Sequence, residues 1–146
     1  MAGMLLTGVI VIFIFMVNSI NMKKNQFKNC TLVLRSALRK RFTLFIALRQ
    51  LPEMAETAED AAFSDFAALA EMDFLESRSE ADELWKKISV KIPENISLGV
   101  EIAANEAFIA RAEESAAEAA ESYNSMIAVQ PWKFFAVLLR MKPVSF

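Results

Sequence analysis

Residues 102–126 read IAANEAFIARAEESAAEAAESYNSM. Ile102, Ile109, Ala116 and Tyr123 recur every seven residues, and Asn105, Ala112, Ala119 and Met126 fall three after each. That alternation of three and four is the seam of a helix lying along another helix, and it predicts one long helix from Ile96 to Val129. Alanine at 112, 116 and 119 lets two helix axes approach more closely than leucine would. Asn105, the polar member of the seam, is expected to fix register rather than to hold a ligand. Gln130-Pro131 ends the helix, because proline has no amide to donate into it.

Upstream the same periodicity continues. Phe27, Cys30, Leu34, Ala37/Leu38, Arg41, Leu44/Phe45 and Leu48 recur at helical spacing, and neither Pro nor Gly interrupts Val9 to Leu51. Leu51-Pro52-Glu53 is a break, with Pro52 suited to the first turn of the next helix and Glu53 and Glu56 favourable at its positive end. A second helix is expected to reach Phe74, with Ala55, Ala58, Ala62, Phe66 and Leu69 on one face and Phe63, Ala70 and Phe74 widening it. Ser79 is placed to cap a short third helix from Glu80 to Val90, and Asn95 to cap the last one. The part of the first helix from Asn18 to Leu51 matches the last helix in length, and the two middle helices together nearly match either. An up-and-down antiparallel four-helix bundle is the economical arrangement.

Ala2 to Met22 carries no charge before Lys23-Lys24. As a helix it spans about 31 Å, enough for a bilayer core. A cleaved signal peptide would want a basic segment before the run and a small-x-small cleavage site, and neither is present, so a retained anchor is expected. Lys23, Lys24 and Lys28 follow the span and no cation precedes it; the N-terminus is expected outside and the bundle in the cytoplasm. The expected organisation is a transmembrane anchor over 1–22, a bundle over 23–130 and an amphipathic tail over 131–146. In the tail, Trp132, Lys133, Phe134, Phe135, Leu138 and Arg140 suit an interfacial helix on anionic headgroups, or a surface against a neighbouring subunit.

The net charge of −2 conceals a partition. Residues 1–52 hold eight Lys/Arg and no acid, 53–122 hold all eighteen Asp/Glu with five Lys/Arg, and 123–146 hold three Lys/Arg and no acid. The first reading is a basic helix beside an acidic one; nucleic acid is not expected, because the acidic segment would oppose a polyanion. The chain has no histidine, which removes Ser-His-Asp catalysis, His-ligated zinc or haem and the Glu-x-x-His pairs of di-iron bundles. Cys30 is the single cysteine and reads as a small buried apolar residue rather than a reactive thiol. No catalytic residue, cofactor or metal site is expected. Glu113-Glu114 and Glu118-Glu121 lie off the seam and read as a solvated face.

The residues resemble the LemA family of bacterial membrane-anchored helical-bundle proteins, one group of which belongs to the magnetosome membrane. Leu38-Arg39-Lys40-Arg41 looks like the family's basic element, and Glu106, Ile109, Ala112, Tyr123-Asn124, Ile127 and Pro131 fall at its C-terminal spacing, with Lys142-Pro143 and Phe146 like its ending. The likeness covers roughly 20–50 and 101–146. The chain departs from the pattern at Ala116-Ala117, where the family has its first Tyr-Asn pair, at Glu113, where it has Arg, and at Phe45-Ile46-Ala47-Leu48, where it has Ile-Pro-Asn-Leu. The resemblance implies an antiparallel four-helix bundle with a small external N-terminus, on a bacterial inner membrane or one derived from it. It implies no enzymatic activity. The function expected is a membrane-anchored scaffold that forms homo-oligomers or recruits a membrane-protein partner. The alternative is a regulatory or lipid-handling accessory of an envelope enzyme.

Overall fold

Apolar residues at helical spacing, with only three Gly and four Pro in 146 residues, leave the backbone little alternative to helix. The computed structural model describes residues 2–55, 60–69, 72–73, 75–93 and 96–146, with side chains from Thr7 onward. It is all-helical, without a strand among the described residues: α1 (Ala2–Arg49), a 3₁₀ turn (Pro52–Met54), α2 (Ala61–Ala68), α3 (Arg78–Ser89), α4 (Gly99–Ala128) and α5 (Trp132–Leu138). Contacts divide the chain into two compact units, Leu34–Arg111 and Met1–Val33 with Ala112–Phe146. The cuts fall inside α1 and α4.

In the Leu34–Arg111 unit, Leu44, Phe45, Leu48, Phe63, Phe66, Leu84, Trp85 and Ile88 are buried together. Phe66 is the hub of an aromatic cluster, 4.8 Å from Phe45, 5.6 Å from Trp85 and 6.2 Å from Phe42 between ring centroids. Such offset and tilted pairs add about 0.5–1.5 kcal/mol each beyond the area they bury. The single second helix expected from Pro52 to Phe74 is instead a 3₁₀ turn followed by the separate eight-residue α2. Asp60 is the reason: it is extended (φ −65°, ψ 142°) and its carboxylate accepts from Ala62 N–H, capping a new helix. Downstream of α2, the Asp73 carboxylate accepts from Leu75 N–H at 2.9 Å in a local turn. Glu56, Ala58, Ala70, Phe74 and Asn95, all given places in the sequence reading, lie outside the described residues.

Helix α3 begins at Arg78, one residue earlier than its expected cap at Ser79. Ser77 precedes it without capping, because its hydroxyl donates to the Asp73 carbonyl at 2.9 Å. Helix α4 runs from Gly99 to Ala128, shorter at both ends than 96–129.

In the other unit, Ile20, Tyr123, Ile127 and Ala136 are buried together, with Met126, Trp132, Phe135, Met141 and Val144 packed against them. Cys30, expected to be buried, is only half-buried. Helix α5 ends in a tight C-terminal lock. Arg140 takes the left-handed conformation (φ 53°), Met141 N–H donates to the Ala136 carbonyl at 2.8 Å, and Arg140 N–H donates to Val137 at 3.1 Å. This is the pair of bonds by which a helix satisfies its last carbonyls and turns its chain back, a place glycine usually fills.

Candidate functional site

The Val9–Phe15 run is the most unusual surface of the protein. Its seven residues are all large and apolar, and all are 37–65% exposed. Seven successive helical positions cover nearly two turns, so apolar surface is exposed around α1 there. Helix α1 is long and apolar enough to cross a membrane, and only 11% of its apolar stretch is buried in the protein. Immediately beyond Phe15 the environment changes. Met16 and Ile20 are buried, Ile20 completely, beneath Tyr123, Ile127 and Ala136.

Helix α5 lies at the same level of α1 as the end of the bare run. Phe135 meets Phe13 edge-on at 5.4 Å, and Trp132 lies 6.5 Å from Phe15. Both tail aromatics are half-buried by these contacts. On the other side of α5, Phe134, Val137 and Leu138 are 60–71% exposed. The cations expected near a membrane are accessible: Lys24, Lys28, Lys133 and Arg140 are exposed and Lys23 is half-buried. Val137, the barest of the tail's apolar residues, was not singled out by composition. Its position on the outer face becomes visible only once Ala136 is known to face inward.

The tail after Arg140 is held by side-chain recognition of its backbone. Asn124 Nδ2 donates to the Val144 carbonyl at 2.8 Å, and Val144 N–H donates to Asn124 Oδ1 at 2.9 Å. Phe146 meets Phe27 edge-on at 6.5 Å. An amide is the one side chain that can donate and accept in this way, as a neighbouring strand would. That Asn124 would meet Val144, twenty residues on, was not legible from spacing.

On α4 the seam residues Ile102, Asn105, Ile109, Ala112, Ala116, Ala119 and Tyr123 are buried and Met126 is half-buried. Asn105 Nδ2 donates to the Ala37 carbonyl at 3.3 Å, tying α4 to α1 in the Leu34–Arg111 unit. Four residues along α1, Arg41 is buried between two carboxylates. Its Nε and Nη2 donate to the two oxygens of Glu106 at 2.8 and 2.6 Å, and Nη1 donates to Asp82 at 2.5 Å. The guanidinium also lies 5.7 Å from the Trp85 ring centroid. Burial by itself lowers the Arg41 pKa, but the hydrogen bonds and charges of Glu106 and Asp82 outweigh it and leave the group more basic than usual. The arrangement joins α1, α3 and α4, with the Arg41 side chain 6% exposed. Sequence periodicity put Arg41 on the apolar face without saying what would neutralise it.

Among the described residues no three acidic or cysteine side chains are grouped as a metal would require. An open groove of about 420 Å³ between α2 and α3 is lined by Asp65, Leu69, Met72, Glu80, Glu83 and Lys87 among others. The chain matches no family model, no curated protein and no solved structure, so its function is read from the side-chain arrangement itself.

Proposed function

We propose that the chain is a non-enzymatic, membrane-anchored structural protein whose helical body self-associates or recruits a partner at the inner face of a bacterial membrane. The observation that carries the reading is the Val9–Phe15 run, whose seven large apolar residues are each 37–65% exposed. In water these side chains forgo about 25 cal/mol for each Å² of apolar surface left exposed, a cost that lipid removes. Lys23, Lys24 and Lys28 follow the run and favour retention of that flank in the cytoplasm, with the N-terminus outside.

An antiparallel four-helix body is supported by the contacts within the Leu34–Arg111 unit. Asn105 of α4 meets Ala37 of α1 and Glu101 pairs with Lys40 at 3.2 Å, an opposed order from which the long Arg41 side chain departs by reaching Glu106. Buried ionic and amide contacts at Arg41 and Asn105 suit a protein that must keep one register. The resemblance to the LemA family agrees with this reading through the same residues, since Arg41 and Glu106 both belong to its pattern and meet here.

The test has two arms. Membranes bearing the full chain are extracted with alkaline carbonate, and the chain should remain in the pellet, whereas Ile12→Arg with Ile14→Arg should release it. Release of the unsubstituted chain defeats the anchor. Light scattering of the protein in mild detergent should give an oligomeric mass, and a strictly monomeric particle at high concentration defeats self-association.

A further inference from the structure

We propose that residues 128–146 form a re-entrant hairpin that carries α5 into the hydrocarbon of the cytoplasmic leaflet, with Phe134, Val137 and Leu138 against lipid acyl chains. The inference rests on the anchor reading and goes further, because an amphipathic tail need only lie on the surface. Three observations inside one compact unit carry it.

The first is depth. Phe13 is ten residues from Lys23, a rise of about 15 Å along a helix, close to half the thickness of a bilayer core. With Lys23 and Lys24 among the headgroups, the rings of Phe135 and Trp132 sit beside Phe13 and Phe15, well below that level. The second is the path. Helix α4 descends along α1 with Tyr123 and Ile127 over Ile20, α5 turns beneath it, and the chain then climbs until Phe146 meets Phe27. From Phe13 to Phe27 is a rise of about 21 Å on α1, and the six steps from Arg140 to Phe146 reach about 20 Å when extended. The chain therefore enters and leaves on the same side.

The third is the backbone. A segment inside lipid must satisfy its own amides and carbonyls. Here Lys133 N–H donates to the Val129 carbonyl at 2.8 Å and Phe134 N–H to Pro131 at 3.2 Å, closing the turn into α5. At the other end Leu139, Arg140 and Met141 donate to Phe135, Val137 and Ala136 at 2.9, 3.1 and 2.8 Å. In the ascending segment, which is not helical, both backbone groups of Val144 are satisfied by Asn124. The cations flank the apolar face at Lys133, Arg140 and Lys142, all exposed, on stems long enough to lift their charges toward the phosphates.

Nitroxide labels read the depth directly. On a Cys30→Ser background, Lys24→Cys, Val11→Cys and Val137→Cys are labelled singly in the full chain and reconstituted into vesicles of phosphatidylcholine and phosphatidylglycerol in equal parts. Each position is exposed, so the label displaces no core contact. The label at 137 should match the one at 11: open to oxygen, which concentrates in acyl chains, and lost to a water-soluble nickel chelate that reaches position 24. Nickel access at 137 equal to that at 24, with 11 still protected, overturns the hairpin and leaves the anchor standing. Nickel access at 11 as well defeats the anchor. Shielding of 137 from both oxygen and nickel puts protein rather than lipid on this face and also overturns the proposal.

Discussion

Replacing Arg41 by alanine removes the cation held between Asp82 and Glu106 and opens a cavity beside Trp85. The side chain of Arg41 is 6% exposed and those of its partners are 33% and 32% exposed. Breaking a fully buried pair costs about 3–5 kcal/mol, because the surviving charge is stranded without water. Here both surviving carboxylates can still hydrate, which reduces the loss. The cavity and the lost cation–π contact add to it. An expected cost of about 2–4 kcal/mol follows from these opposing corrections. Glu106→Gln should cost more than Asp82→Asn, because Glu106 receives two of the guanidinium's hydrogen bonds and Asp82 one. The triple change Arg41→Met, Asp82→Asn, Glu106→Gln should recover much of the loss, since no charge is left uncompensated. Denaturant unfolding in mild detergent, followed by far-UV circular dichroism and by Trp85 emission, measures each step. A cost for Arg41→Ala below about 0.5 kcal/mol, the scale of a surface change, would refute the reasoning. The raised pKa of Arg41 fixes the sign of its pH dependence: its contribution is complete below the ordinary arginine pKa and is lost only as pH rises through the raised value.

On α4, Ala112→Leu or Ala119→Leu should overpack a buried seam and cost about 1–3 kcal/mol, whereas the exposed Glu114→Gln should stay within about 0.5 kcal/mol; equal effects would place the seam on another face. Arg140→Gly should raise stability by about 0.5–1 kcal/mol, because glycine occupies the left-handed position without the steric cost an arginine meets there, and a loss of stability on thermal unfolding would contradict that assignment. The Lys91 hydrogen bond lowers the pKa of Asp60, and the Leu75 N–H lowers that of Asp73. Both contributions are therefore present above the ordinary carboxyl pKa of 3.8 and lost as pH falls through the lowered values. Asp60→Asn with Asp73→Asn should flatten the acid side of the stability profile, and an unchanged profile on acid titration would remove these two groups from it.

Periodicity in the sequence determined which side of α4 is buried, from Ile102 to Tyr123, and that the described chain is all-helical in class, without a strand. It also located the apolar run that ends before Lys23, because charge and hydropathy are properties of the residues themselves. Asp60 shows where periodicity fails. The apolar pattern continues smoothly past it, yet a side-chain cap competes with the helix and wins locally, splitting one expected helix into a turn and α2. The partners of Arg41 lie 41 and 65 residues away, and that of Asn105 lies 68 away. A repeat says which face of a helix is buried, but not which residue of a distant helix arrives opposite, since that depends on turns whose geometry is set by a few hydrogen bonds. The same holds for the C-terminal segment. Its composition marked it as amphipathic, while its level beside Phe13 and Phe15 depends on the lock at Arg140 and the grip of Asn124 on Val144. These are tertiary decisions, because each fixes the direction of a chain that its own residues leave free to point elsewhere.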